Sequence, residues 1–461
     1  MRDQITEIFK PCELSKIARE TKFIQRNTNI LQEKDFLELM TTVSLDPKSI
    51  SLEGLCSELR TLNPEADLTP QSLMERINRP ESVEFLKTIF QEALKKSLRN
   101  IVEPISPDLL KTFNNVFLED CSECALNEEL EVHFKGSGGA TQKSSVKLDL
   151  VYEIKQKNII HIGLVDRRSP DQKLAQMHLE ITQDGDLWIR DLGFFDVTVL
   201  KDIVINGAYF LSRLAACVNV YLKEEDEKPI DLAEYINHHF PNDSIIDLPV
   251  FISKEKFPVR LVAYRAPKEL ADKRRREALK MAGQRGKTPK RETLNRLNFT
   301  FFITNVPKTI WKAEVVGTIY MIRWQIELIF KNWKSSLQIN HLKGINPSRI
   351  KCLLYAKLIV IVLTNMIYKL ADWYAQQLQR EISLHKVVNW LKRNNRLALI
   401  FFCRFSRELF EILEKEILQS MCKGKRKRKT SQETLENGVS YCDLYENFGN
   451  KIIENQYDRV A

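Results

Sequence analysis

At 461 residues, with 43% hydrophobic and 28% charged residues, the chain is long enough for about two to four structural units around a large buried core. The net charge of +9 is a modest basic excess, so binding to phosphate is judged by where Lys and Arg cluster rather than by their total. Nine scattered cysteines, an opening without an apolar signal segment and no clean apolar run of about 18 residues point away from a disulfide scaffold or a membrane protein, and toward a reducing cytosol.

Residues 1–105 read as helical. Lys34–Met40 and Ser51–Arg60 place apolar residues three and four apart, the period of a helix with one buried face. Thr69-Pro70 sets a capping hydroxyl before a proline at the first helical position, and Glu81–Ile101 continues as a helix with Lys and Arg at its end. A helix, a turn and a capped helix fit either a helix-turn-helix DNA reader or a plain helical bundle; the Asn63–Leu68 connection is long for the first.

From Asn115 the period changes to two. Val116–Ser122, Val146–Ile154 and Ile159–Val165 read as strands. The Gly136–Gly139 loop between the first two lacks the lysine–serine pair and helix of a phosphate-binding loop. A helix around Ser169–Thr182, a strand at Leu187–Gly193, a helix near Val197–Asn206 and a fifth strand at Ala208–Arg213 follow. Further strands are expected at Val218–Leu222, Ile246–Ile252 and Val259–Tyr264. A basic helix then carries Lys273, Arg274, Arg275 and Arg276, and a flexible tail carries Arg285, Lys287, Lys290 and Arg291. Asn298–Asn305 returns as a strand. Beyond Ile350 the chain reads as helical, with Leu353–Ile367 a core helix interrupted by Lys357 and Asn365, and Lys423–Lys429 a basic stretch too polar to pack. Cys121 and Cys124 form a lone C-x-x-C without the second ligand pair that zinc would need.

Tyr320-Met-Ile-Arg323-Trp-Gln-Ile-Glu327-Leu-Ile-Phe-Lys331-Asn-Trp-Lys334 reads as one amphipathic helix. At roughly 100° per residue, Tyr320, Arg323, Glu327 and Lys334 share an arc of about 60°. Ile322, Ile326, Ile329, Phe330 and Trp333 lie beside it, toward the core. The row sets a carboxylate that can hold a divalent metal beside cations that can grip phosphate; Arg323 and Glu327 also fit a plain surface pair, in the weaker order for one. The spacing of this tyrosine, arginine, glutamate and lysine, with the tail Lys334-Ser-Ser-Leu-Gln-Ile, resembles the YREK signature of bacterial insertion-sequence transposases of the "IS four" family. The resemblance runs from about Asn115 to Asn365.

The resemblance implies a DDE triad. Glu327 is its last member, Asp120 its first, in an Asp-Cys-Ser that differs from the family by Cys121, and Asp191 its second, in Asp-Leu-Gly-Phe-Phe. Spacing alone leaves Glu119, Asp149, Asp166, Asp184 and Asp186 as rivals, with Asp166 the natural control. The expected cofactor is a pair of Mg²⁺ ions, replaceable by Mn²⁺, which take oxygen ligands. Tyr320, Arg323, Lys331, Lys334 and the basic residues from Lys273 to Arg291 are expected to contact DNA, with Trp324 and Trp333 as possible stacking groups for an unpaired base. The implied fold is α/β: a ribonuclease-H-like core of mixed sheet flanked by helices, in two parts (106–213 and 298–350). A β-rich insertion with a basic helix (214–297) interrupts it; a helical end-binding region (1–105) precedes it and a helical region (351–461) follows. The implied function is a DNA transposase that cuts insertion-sequence ends and joins the 3′-hydroxyls to target DNA, as a homodimer on double-stranded DNA in the bacterial cytoplasm at the nucleoid. Another metal-dependent nuclease of this fold, or a binding-only descendant, is the alternative.

Overall fold

Capping and aromatic packing fix the N-terminal helices: α1 (Pro11–Glu20), α2 (Glu33–Leu45), α3 (Leu52–Leu62), α4 (Pro70–Ile77) and α5 (Pro80–Ser97). The Ser51 and Thr69 hydroxyls accept the amides of Gly54 and Ser72, two donors that the starts of α3 and α4 would otherwise leave open. Phe23 stacks on Phe85 at 4.5 Å and lies 4.8 Å from Phe36, with the Arg76 guanidinium 4.4 Å over its ring. The computed structural model describes residues 11–25, 31–45, 51–97, 108–137, 142–284, 286–342, 344–378, 380–394 and 415–422. Arg285, Gly138-Gly139, the last residues of the helix expected to reach Ile101 and the Lys423–Lys429 stretch lie outside them.

The strands follow in the expected order: β1 (Val116–Ala125), β2 (Ser145–Glu153), β3 (Asn158–Asp166), then α6 (Asp171–Met177), β4 (Leu187–Arg190), α7 (Val197–Ile205) and β5 (Tyr209–Arg213). Next come β6 (Val220–Tyr221), α8 (Leu232–His239), β7 (Ile245–Ile252), β8 (Phe257–Arg265), α9 (Lys268–Gln284), α10 (Arg291–Arg296) and β9 (Phe299–Thr304). The sheet order is β3-β2-β1-β4-β5-β9-β8-β7-β6. β4 runs parallel to both β1 and β5, which is the ribonuclease-H-like arrangement, and β9 is antiparallel to β5. The strands of the insertion build no sheet of their own. β8 pairs with β9 from Arg260↔Thr304 to Arg265↔Phe299, so they widen the core sheet. The sequence reading missed α8, although Asp231 caps it through the amides of Ala233 and Glu234.

The remaining helices are α11 (Ala313–Tyr320), α12 (Trp324–Ser335), α13 (Pro347–Gln377) and α14 (Leu384–Arg393). The stretch read as one helix from Tyr320 to Lys334 is therefore two. Met321–Arg323 tightens into a 3₁₀ turn between α11 and α12, and Tyr320, Ile322 and Arg323 are buried there. The apolar row Ile322, Ile326, Ile329, Phe330 and Trp333 is buried as its spacing demands.

The chain divides into two compact units. Among the described residues, one gathers those within 1–105, 121–169 and 327–427; the other gathers those within 106–120 and 170–326. In the first, α13 packs along α5 and α2. It is long and apolar enough to cross a membrane, but 78% of its most apolar window is buried inside the protein, as a core helix requires. Both interruptions are satisfied there: Lys357 Nζ donates to the Leu337 carbonyl at 3.1 Å, and Asn365 Nδ2 to the Lys157 carbonyl at 3.0 Å. β2 alternates in sequence yet is buried on both faces, because Lys147 reaches the Ser169 carbonyl and Glu153 accepts the amides of Lys155 and Gln156. In the second unit, Asn305 pins β5 at both ends of its amide, accepting from Phe210 N at 2.8 Å and donating to the Ala208 carbonyl at 2.9 Å.

Candidate active site

Register sets the frame for the first two acids. β1 and β4 pair in parallel from Val116↔Leu187 to Glu119↔Arg190, and Asp120 and Asp191 are the residues that follow this last rung. Asp191 lies just past the carboxyl end of β4, where an α/β sheet projects its ligand-binding groups. Its Oδ1 accepts the Leu192 amide at 2.6 Å and opens a short 3₁₀ turn, Leu192–Phe194. A Cβ on Gly193 in that turn would come within 2.9 Å of an Asp171 carboxylate oxygen, so that side chain would have to shift.

Asp120 is 14% exposed and lies 3.7 Å from Arg323 Nη1. Arg323 is buried, with its guanidinium 6.0 Å from the Tyr320 ring, which packs in turn on Phe302 at 5.0 Å. Tyr320 and Arg323, expected on the DNA backbone, thus sit inside the protein. Arg323 faces the Asp120 carboxylate from a buried position rather than from the surface. Glu327 is half-buried in the first turn of α12, where the helix dipole favours an anion. Lys331 is exposed, and Lys334 and Trp324 are half-buried. Trp333 is core, edge-on to Phe330 at 5.5 Å, which removes it as a stacking group.

The rival acids have other partners. Asp166 is exposed at the end of β3 and accepts the Arg168 amide. Asp186 is buried against Asn115 and Gln183, and burial pushes its pKa up. Asp149 is buried 3.3 Å from His161 Nε2. The C-x-x-C cysteines stay free thiols; Cys124 is buried, which raises its pKa to about 11.

Glu119, the remaining rival next to Asp120, belongs to a buried cluster. It is wholly buried, 2.6 Å from Arg190 Nε through one oxygen and 2.6 Å from His178 Nδ1 through the other. The sequence reading missed this cluster. Its only trace there was an arginine inside an apolar strand, directly before Asp191.

The basic helix divides in the same way. Arg274, expected on DNA, is buried, and its guanidinium donates to the carbonyls of Leu297 and Phe299 and to Thr300 Oγ1. A guanidinium so engaged has no face left for a phosphate, so Arg274 is an anchor for α9. Arg275 is half-buried against Asp272 and Asn298, and Lys273 lies 3.9 Å from Glu277. Arg276, Lys287, Lys290 and Arg291 are exposed.

Residues 125–363, more than half of the chain, match the family model described as "Transposase DDE domain". The chain is a DDE transposase. The match includes Asp191 and Glu327 and begins five residues after Asp120. The chain is 26% identical to the transposase of insertion sequence element IS231B from Bacillus thuringiensis subsp. berliner, over 97% of this chain and 96% of the relative. It is 30% identical to the transposase of IS1151 from Clostridium perfringens, over 79% of each. Among solved structures, a piggyBac transposase synaptic complex with hairpin DNA aligns over 92% of this chain and 81% of its own, at 11% identity and a TM-score of 0.46. This transposase is accordingly an enzyme of DNA transposition that binds DNA and depends on a divalent metal.

Proposed function

We propose that this transposase cuts the ends of an insertion sequence and joins the freed 3′-hydroxyls to target DNA, using Asp120, Asp191 and Glu327 as its metal-holding acids. The observation that supports the proposal is the parallel β1–β4 register, whose last rung, Glu119↔Arg190, comes directly before Asp120 and Asp191. Three carboxylates make a hard oxygen donor set of the kind Mg²⁺ takes, and Mn²⁺ can replace it. Two such ions would supply charge stabilisation to the attacking and leaving oxygens of an in-line displacement.

The protein's own groups complete the proposal. Arg323 balances charge beside Asp120, and the Tyr320 ring holds Arg323 in place. Lys331 and Lys334 lie one and two turns past Glu327, where ammonium groups act as point charges for phosphate. Arg276, Lys287, Lys290 and Arg291 follow the DNA backbone outside the site. The helices α1–α5 bind the element's inverted-repeat ends, and a homodimer brings two ends together.

The test is cleavage and joining by purified single variants. Asp120→Asn, Asp191→Asn and Glu327→Gln should each abolish cleavage of the ends and leave end binding intact, while Asp166→Asn should cut normally. Full cleavage by Asp191→Asn would remove that residue from the site. Cutting without strand transfer by the unaltered chain would make it a nuclease rather than a transposase.

A further inference from the structure

We propose that Glu119, Arg190 and His178 form a positioning lock that holds Asp120 and Asp191 level with each other. The inference rests on the reading of those two aspartates as metal ligands. Successive side chains on a strand face opposite ways, so Glu119 and Arg190 lie on the face away from the acids that follow them. They are also register partners. Arg190 Nε is 2.6 Å from Glu119 Oε2, so an ion pair bridges the two strands at the last rung before the acids. His178 Nδ1, 2.6 Å from Glu119 Oε1, holds the second oxygen. Arg190 is fixed further by donating Nη2 to the Ala175 carbonyl at 3.2 Å and by lying 4.2 Å over the Trp188 ring, whose Nε1 donates to Thr182. The three side chains are 0%, 2% and 6% exposed.

Stability alone is a weak reason for such a cluster, because buried ion pairs are commonly matched or bettered by apolar side chains of similar volume. Register is a stronger one. The β1–β4 pairing is only four rungs long, and Leu187, Trp188 and Ile189 are buried beside Val116, Phe117 and Leu118. An apolar pattern on both faces does not distinguish one register from the next, and a slip of one residue would send each side chain to the opposite face. The Glu119–Arg190 pair allows one alignment. That alignment places Asp120 opposite Asp191.

The test measures Mn²⁺ binding to the full chain without DNA, by the electron paramagnetic resonance signal of free Mn²⁺, together with the melting temperature. Glu119→Gln should weaken Mn²⁺ affinity about ten-fold, as loss of a group supporting a metal ligand does. Leu211→Ala, a cavity in the neighbouring β5, should lower the melting temperature and leave Mn²⁺ affinity unchanged. Arg190→Lys keeps the charge but loses the fork and the stacking plane, and should weaken binding by less than Glu119→Gln. Folded Glu119→Gln with the affinity of the unaltered chain would overturn the lock. Should that variant not fold, unchanged affinity in Arg190→Lys would overturn it equally. Unchanged affinity in Asp191→Asn is a different result, and it would remove the reading of the acids themselves.

Discussion

Lys357 shows what a single charge does in the core of α13. Its ammonium is buried and held by one carbonyl, and burial lowers its pKa from 10.5 to about 8. In the unfolded chain the same lysine keeps its proton up to about pH 10.5. Between pH 8 and 10.5 the unfolded state therefore binds more protons, and stability rises with pH. The full difference corresponds to roughly 3 kcal/mol, absent below pH 8 and complete above 10.5. Lys369, also lowered to about 8 by burial, acts in the same direction. Lys357→Met should lose roughly 1 kcal/mol of the change in stability between pH 8 and 9 relative to the unaltered chain, a difference in which the opposing contribution of the buried thiols cancels. Urea melts of the two proteins at pH 8 and 9 measure this; an identical change in stability for the two would show that Lys357 stays charged inside the fold through pH 9.

The helix α9 carries the clearest contrast between elements that hold the fold and those that meet a partner. Arg274 joins α9 to the carbonyls around the start of β9, whereas Arg276 faces solvent two residues on. Arg274→Ala leaves buried acceptors without their donor and should cost roughly 3 kcal/mol of stability. Arg276→Ala should change stability by less than about 0.5 kcal/mol. Thermal melts of the two variants decide it, and equal losses would mean that both arginines are structural. Periodicity placed α9 in the sequence, but a run of four cations does not say which of them turns inward. The 3₁₀ turn at Met321–Arg323 was hidden for a similar reason, since its residues keep helical spacing.

Across the whole molecule, a net charge of +9 matters through its exposed clusters. Among the described residues that the sequence suggested, Arg276, Lys287, Lys290 and Arg291 form an exposed basic group open to DNA phosphates. Each phosphate neutralised contributes about −0.9 to the slope of log affinity against log salt. Replacing Arg276, Lys287 and Lys290 by alanine together should therefore flatten that slope by up to about 3. Filter binding of an element end between low and physiological salt gives the slope; no change would place DNA elsewhere on the protein.

The sequence by itself determined the order of most strands and helices and the apolar row of α12, because spacing and local chemistry are properties of neighbouring residues, while the three acids worth testing came from the family resemblance. The tertiary structure decided what depends on residues far apart in the chain. It aligned Glu119 with Arg190 across two strands, turned Arg323 toward a carboxylate, drew the insertion's strands into the core sheet and joined Glu119 to Arg190 and His178. Those facts follow from register and burial, which no local pattern encodes, since a strand that is apolar on both faces reads the same in either alignment.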